Sequence, residues 1–195
     1  MTRELWVRGA QPVDNINEAA ISSSVARALQ RWLAATGNDG GVLIGDIALA
    51  FYSRPRFVDQ IDFLYLDEAS VPENVPGFKK RSPNEFVDTR TKTVVYAHFP
   101  GENWLPPELI EKVHHTAVSK GGIMLPSLHG MVALKLHRGL YDRVGGRRDQ
   151  QDVVDMISWS DDFELQHMEW WDLDEAHFEL LLELHEIARS KTEVT

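Results

Sequence analysis

The chain has 195 residues and no cysteine. Without a thiol, disulfide bonds, cysteine metal sites and thiol nucleophiles are all excluded, and such a composition fits a reducing compartment. Long apolar runs are also lacking, so no segment is expected to span a bilayer. The first residues, Met-Thr-Arg-Glu-Leu-Trp, do not contain the apolar core of a signal peptide. We therefore expect a cytoplasmic protein without membrane association.

Positive charge is scarce as well. Lysine and arginine together number 20, against 30 aspartate and glutamate residues, which gives a net charge of -10. Non-specific binding to nucleic acid depends on cations that neutralise phosphates, so this class of function is disfavoured. The basic residues that do cluster lie at 79–81 and on both sides of Gly145 and Gly146.

Two common catalytic patterns are absent. The eight histidines include no His-Glu-x-x-His pattern. His114 and His115 are neighbours that point about 100° apart on a helix. The serines at 22–24 lack the glycine context of a nucleophile elbow. Neither a histidine-based metal site nor serine catalysis is expected.

What is present is a succession of apolar segments with helical or strand periodicity. The content of 43% hydrophobic and 26% charged residues is typical of a soluble globular protein, and we predict a single domain over 1–195. Its parts are an N-terminal arm and helix at 1–40, an α/β core at 41–126 and a helical C-terminal part at 127–195. The predicted fold class is α+β, with a small mixed sheet flanked by helices. The predicted helices cover 14–33, 47–52, 107–117, 128–141, 149–158 and 174–189, and the predicted strands cover 42–44, 61–66, 86–88, 93–99 and 123–125.

The stretch 41–66 is the most informative part of the chain, because a glycine turn and a short helix precede a buried strand with acidic residues. Side chains at i and i+2 of a strand share a face. Asp62 therefore shares its face with Gln60, whereas Asp59 faces the other way unless a bulge intervenes. An amide oxygen can coordinate Mg²⁺ but brings no charge. The strand thus presents half of a two-carboxylate site.

Four motifs resemble, in their order, the minimal nucleotidyltransferase fold, and within it the toxin-like proteins of the abortive-infection AbiE type. They are Gly45-Asp46, Arg-Phe-Val-Asp-Gln-Ile-Asp at 56–62, Ala-Leu-Lys-Leu at 133–136 and Gln-Asp-Val-Val-Asp at 151–155. Members of the family commonly carry Gly-Gly or Gly-Ser, then Arg-x-Thr-x-Asp-Ile-Asp, a Lys-Leu helix and Lys-Asp-x-x-Asp. The resemblance implies a nucleotidyltransferase-like sheet and, in an active member, Mg²⁺ and a nucleoside triphosphate as cofactors.

The same resemblance assigns roles to residues of this chain. Asp62 and Lys135 are implied to be catalytic, and Gln60 would hold the metal together with Asp62. The residues implied to bind the nucleotide are Gly45, Asp46, Arg56, Asp152 and Asp155.

Each of these polar residues also has a purely structural interpretation. Asp62 could accept hydrogen bonds from the backbone or pair with Lys135 or with an arginine, and Asp46 could cap the helix that follows it. Lys135 could form a partly buried ion pair with Asp62 or Asp152. Asp152 and Asp155 share one helix face, so they could approach Lys135 or Arg148 from the adjacent helix and hold two helices together by charge.

The chain departs from the family pattern at the metal site. Asp46 replaces the second glycine or serine and places negative charge where a phosphate would lie. Val58 replaces threonine, and Gln60 replaces the first metal-binding aspartate. A later strand often carries a third carboxylate, but here it offers only Tyr96 and His98. We predict an impaired metal site.

Three functions follow from these observations. The first is a nucleotidyltransferase-like binding or regulatory component without efficient catalysis, which would bind a nucleotide or a protein partner such as an antitoxin. The second is an active Mg²⁺-dependent nucleotidyltransferase that moves a nucleoside monophosphate to a protein or RNA acceptor. The third is an interaction protein that docks through its acidic C-terminal helix, for which we expect a sizeable apolar patch on that helix.

Overall fold

The computed structural model describes residues 21–37, 41–53, 57–101, 104–141 and 145–192. Its helices are α1 (Ser23–Thr36), α2 (Gly45–Leu49), α3 (Pro107–His115), α4 (Leu128–Tyr141), α5 (Gly146–Trp159) and α6 (Glu175–Thr192). Its strands are β1 (Val42–Ile44), β2 (Gln60–Leu64), β3 (Phe78–Ser82), β4 (Glu85–Asp88), β5 (Val94–His98), β6 (Val118–Lys120) and β7 (Ile123–Leu125). Short 3-10 turns occur at Glu68–Ser70 and Leu165–Trp171.

The main sheet is mixed and has five strands in the order β1-β2-β5-β4-β3. The central strands β2 and β5 run parallel, and all other neighbours are antiparallel. A separate hairpin is formed by β6 and β7. With the helices around it, this sheet confirms the prediction of an α+β protein with a small mixed sheet.

Strand β2 separates the hydrophobic core from the polar side of the sheet. Its odd-numbered residues Ile61 and Phe63 are buried beneath α1, where Trp32 stacks on Phe63 at a centroid distance of 5.9 Å. Its even-numbered residues Gln60 and Asp62 point to the opposite face, beside α4 and α5. This alternation follows directly from the pleat of a strand.

The start of α1 differs from the prediction. Ser22 is the N-cap, and its Oγ accepts a hydrogen bond from the amide of Val25. The predicted cap, Asp14, lies outside the described residues. A serine N-cap satisfies an amide that no helical carbonyl can reach.

Helices α4 and α5 approach each other closely at two glycines. A Cβ atom on Gly146 would lie 2.5 Å from the carbonyl oxygen of Gly139, so only glycine fits there. This contact brings the acidic first turn of α5 beside the lysine of α4.

In the described part of the chain, no helix has both the length and the hydropathy needed to cross a bilayer.

Candidate functional site

A cavity of about 240 Å³ opens between α2, the start of β2, and helices α4 and α5. We call it the β2 pocket. Of the residues singled out in the sequence, Gly45, Asp46, Gln60, Asp62 and Lys135 line it. Its other lining residues are Val58, Asp59, Arg138, Gly145, Arg148 and Asp149. Arg56 lies outside the described residues, whereas Asp155 is described and does not line the pocket.

Gly45 allows the backbone to approach the acidic strand. Ile44 pairs with Asp62 across β1 and β2, and Gly45 follows at φ +70. A Cβ atom on Gly45 would lie 2.7 Å from Oδ2 of Asp62. The space next to this glycine is therefore filled by a carboxylate of the same chain.

Asp62 is satisfied by nitrogen donors. Nε2 of Gln60 donates to both carboxylate oxygens, at 3.0 and 3.1 Å. Nε2 of His98 lies 3.1 Å from Oδ1, so a proton on that nitrogen completes the set. Gln60 and Asp62 share a face, as predicted, but the expected pairing of Asp62 with Lys135 or an arginine is wrong.

The side chains around Asp62 are poorly suited to hold a metal ion. Mg²⁺ requires near-octahedral coordination by oxygen atoms, mostly anionic or from water. Here the amide group of Gln60 donates to Asp62, and the side chain of His98, which is in register with Leu64 on the neighbouring parallel strand, also reaches Asp62. Among the described residues, no three histidine, aspartate or glutamate side chains are arranged to hold a metal ion. The geometry supports no chemical step through Mg²⁺.

Lys135 is enclosed by two carboxylates of α5. Its Nζ lies 2.6 Å from Oδ1 of Asp149 and 2.8 Å from Oδ2 of Asp152, and the residue is only 6% exposed. Burial lowers the pKa of Lys135, and the charge and hydrogen bond of Asp149 oppose that shift. The ion pair with Asp152 was one of the two structural interpretations, whereas the role of Asp149 was missed.

Asp155 lies at the interface between α5 and α6. Its Oδ1 accepts from Nε2 of Gln151 at 2.7 Å and lies 3.5 Å from Nζ of Lys191 on α6. The prediction that Asp155 approaches Lys135 together with Asp152 is therefore wrong. Asp152 contacts Lys135 of α4, whereas Asp155 contacts Lys191 of α6. Residues at i−3 and i+3 of Asp152 both flank it on a helix, and the structure turns Asp149 rather than Asp155 toward α4.

Asp46 is not a helix cap. The N-cap position of α2 is Ile44, so Asp46 lies inside the first turn. Its Oδ2 is 2.8 Å from Nη2 of Arg148. This pair joins α2 to α5 across the β2 pocket, and the Arg148 side chain remains 61% exposed.

Asp59 also reaches the β2 pocket, contrary to the alternation expected along the strand. Regular pairing of β2 begins only at Gln60, while Val58 forms an isolated bridge with Ile21. Because Asp59 precedes the regular strand, the alternation rule does not fix its direction. Asp59 therefore joins Asp46, Asp62 and Asp149 among the carboxylates of the pocket, from a position outside β2.

An aromatic niche adjoins the β2 pocket and shares with it Gly45, Asp62, Lys135 and Arg138. Trp104 forms its wall. The remaining lining residues are Ile44, His98, Met131 and Leu134. Sequence reasoning missed Trp104, which lies in a connection without periodicity. Arg138 follows Lys135 at i+3, so helical spacing indicates that both belong to one face of α4.

The Trp104 ring has two charged or titratable neighbours. The His98 ring meets it edge-on at a centroid distance of 5.7 Å, and the Arg138 guanidinium lies 5.4 Å from its centroid. The same guanidinium forms a long contact of 3.5 Å with Asp149. Arg138 thus stands between the aromatic niche and the β2 pocket.

The exposed face of α6 offers little apolar surface. Leu181 and Leu184 are buried, whereas Leu182 and Ile187 are exposed and flank the exposed Glu179, as well as Glu183 and Glu186. In the described part of α6, the exposed large apolar residues are Leu182 and Ile187, which is less than the sizeable patch expected for docking through this helix.

No protein-family model matches the chain, and no curated protein matches it. Among solved structures, the crystal structure of JHP933 from Helicobacter pylori is similar, at 17% sequence identity over 90% of this chain and 94% of that chain, with a TM-score of 0.43. A similarity at this level carries no argument about function.

Proposed function

We propose that this protein is a nucleotidyltransferase-like binding or regulatory component whose pocket receives a nucleotide-type ligand without transferring it. The proposal combines the resemblance of the four sequence motifs with the geometry of the β2 pocket. Five of the residues that the motifs single out meet in that pocket: Gly45, Asp46, Gln60, Asp62 and Lys135.

The engagement of Asp62 by Gln60 and His98 is the observation that carries the proposal. Two-metal transfer relies on anionic ligands that hold both ions in line with the attacking and leaving oxygens. Here the carboxylate in question accepts hydrogen bonds from side chains of its own chain. The side chain that would offset charge on a leaving group, Lys135, is likewise neutralised by Asp149 and Asp152.

The pocket nevertheless has features of a binding site. Arg138 and Arg148 line it with side chains that are 46% and 61% exposed. A guanidinium on the wall of a cavity is well suited to a phosphate or to the plane of an aromatic ring. Binding therefore needs no metal ion at Asp62.

An active Mg²⁺-dependent nucleotidyltransferase is the second candidate. The position of Asp59 favours it, because this carboxylate lines the same pocket as Asp62. Substrate binding would then have to displace Gln60 from Asp62 so that both acids face a cation. Protein partners such as an antitoxin remain part of either proposal.

Restoring the missing acid tests the proposal. In Gln60→Asp, two carboxylates would stand where the amide now donates to Asp62, so the variant should be destabilised in EDTA and regain thermal stability in millimolar Mg²⁺. Gln60→Asn is the matched control, and it should not respond to Mg²⁺. Thermal denaturation of both variants and the parent protein, with and without Mg²⁺, measures this directly.

Each outcome of that experiment is informative. A Mg²⁺-dependent rise in melting temperature restricted to Gln60→Asp supports a site that lacks a single acid. A comparable rise in the parent protein, lost in Asp62→Asn, would mean that the native residues already hold the ion, and would favour the active enzyme.

A further inference from the structure

We propose that the ligand of the β2 pocket is a nucleoside or nucleoside monophosphate, bound without metal, whose base stacks on Trp104. This inference rests on the proposed function and deepens it, because it names the ligand class and the residue that selects for it. The juxtaposition that carries it is Trp104, Arg138 and Asp62 around two adjoining cavities.

Trp104 offers a planar wall beside the acidic strand. It lines the same niche as Asp62 and Lys135, and Met131 and Leu134 of α4 supply the apolar lining. Apolar walls with a few polar groups at one end are typical of small-molecule sites. A ring in the niche would lie against Trp104 while the rest of the ligand enters the β2 pocket.

Arg138 now occupies the position that this ring would take. The niche has a volume of only about 20 Å³, which is room for about one water molecule. A base can enter only if the Arg138 side chain moves from Trp104. That side chain is 46% exposed and its contact with Asp149 is long, so few interactions hold it in place.

The exchange of the guanidinium for a base is energetically reasonable. A cation–π contact at an exposed site contributes less than the stacking of a base on an aromatic side chain. After displacement, the planar guanidinium can stack on the opposite face of the base, since arginine stacks on aromatic faces as well as pairing with anions.

The charges of the β2 pocket favour a ligand with few phosphates. The four carboxylates that line the pocket, those of Asp46, Asp59, Asp62 and Asp149, repel a polyphosphate that carries no metal ion, whereas the carboxylate of Asp59 can accept hydrogen bonds from hydroxyl groups such as those of ribose. The exposed Arg148 can meet a single phosphate at the far side. A nucleoside triphosphate would place its remaining charge against the carboxylates.

The test is calorimetric titration in EDTA with adenosine, AMP, GMP, CMP, UMP, ATP and ribose 5-phosphate. We expect at least one monophosphate to bind tighter than ribose 5-phosphate and tighter than ATP. Trp104→Leu should weaken the binding of that monophosphate about 5- to 160-fold, the range expected for one lost base stack. Trp104→Phe should retain part of the affinity, and Trp170→Leu, at an exposed tryptophan elsewhere, should retain all of it.

Three results would overturn the inference. They are no binding of adenosine or any monophosphate, equal binding of ribose 5-phosphate and the best monophosphate, or an affinity that Trp104→Leu and Trp104→Phe leave unchanged. None of these results touches the proposed loss of transfer activity. Failure of the proposed function itself would show as Mg²⁺-dependent transfer from a triphosphate by the parent protein.

Discussion

Gly45 combines two constraints that can be separated by substitution. Its φ of +70 disfavours any side chain, and a Cβ atom there would also lie 2.7 Å from Oδ2 of Asp62. Gly77 has a similar φ of +87 but no atom within 4 Å of an added Cβ. Gly77→Ala should therefore cost only the backbone strain, about 1–2 kcal/mol.

Gly45→Ala should destabilise the protein by more than Gly77→Ala, because the carboxylate must also move. Urea denaturation of the two variants measures the difference. Equal losses of unfolding free energy would show that the Asp62 side chain moves aside at little cost. The close approach of β1 and β2 would then not explain why this position requires glycine.

Asp62 and Gln60 illustrate how far residue-scale reasoning reaches. The period of a strand places both side chains on one face, and their contact follows from it. The same reasoning placed Asp59 on the opposite face, because it extended the alternation to a residue that precedes the regular pairing of β2 at Gln60. The alternation rule gives the direction of a side chain only where the strand is regularly paired. The directions of side chains beyond the ends of a strand are therefore not predictable in this way.

At the scale of elements, Lys135 is the charge that joins α4 to α5. Removing one partner of a buried ion pair typically costs about 3–5 kcal/mol because it leaves uncompensated charge. Lys135→Ala leaves Asp149 and Asp152 without their buried cation. We therefore expect the free energy of unfolding, measured with denaturant, to fall by an amount in that range. Arg148→Ala removes an exposed pair and should cost at most about 1 kcal/mol.

Similar losses for these two variants would contradict the structural role assigned to Lys135. The comparison also bears on function. If Lys135→Ala were as stable as the parent protein, the ammonium group of Lys135 in the parent would not be needed to hold the two helices together. It would then be available to a ligand.

The contact of α4 with α5 rests on a glycine for steric reasons. Gly146→Ala would bring a Cβ atom within 2.5 Å of the Gly139 carbonyl oxygen, and overpacking of this kind costs about 1–3 kcal/mol. Gly139→Ala meets nothing closer than 3.5 Å and should be neutral, or stabilising through helix propensity by up to about 1 kcal/mol. Melting temperatures of the two variants should change in opposite directions or by clearly different amounts. A harmless Gly146→Ala would argue against the close helix contact.

Elements with a buried apolar face were predictable, and exposed ones were not. The predicted strand 42–44 and the predicted helix 128–141 coincide with β1 and α4, whose residues are mostly buried. Strand β3, Phe-Lys-Lys-Arg-Ser, was missed because it lies at the sheet edge and its central residues are exposed. Charged edge strands are common in sheets but have no apolar periodicity to detect.

At the scale of the whole molecule, the partly buried His137 makes stability depend on pH. Burial, together with the nearby His177, lowers the pKa of His137 from 6.5 to about 4. The unfolded chain therefore binds a proton in this interval that the folded protein does not, and stability is lost as pH falls from about 6.5 to 4. The rings of His137 on α4 and His177 on α6 lie 4.0 Å apart, so protonation disturbs the packing of these helices.

Replacing this histidine should flatten the pH dependence. His137→Leu removes the titrating ring, and after allowance for solvent screening we expect the loss between pH 7 and 4 to shrink by about 1–2 kcal/mol. Urea denaturation at several pH values checks this, with His115→Leu, at an exposed histidine of α3, as control. An unchanged slope in His137→Leu would show that other groups cause the acid sensitivity.

The arrangement of the whole molecule explains why the site was only partly predictable. The β2 pocket joins residues of α2, β2, α4 and α5, and local patterns identify candidates on each element without revealing their partners. Asp46 illustrates this, since its ion pair with Arg148 spans 102 positions of the chain. Long-range pairs of this kind depend on packing rather than on spacing.

The most direct test of the central claim is calorimetric titration of the intact protein with ATP, GTP, CTP and UTP, each with and without Mg²⁺, repeated with Asp62→Ala. If Asp62 is engaged by Gln60 and His98, Mg²⁺ should not strengthen the binding of any triphosphate to the parent protein. Micromolar binding that requires Mg²⁺ and disappears in a folded Asp62→Ala variant would contradict the account and identify an intact metal site.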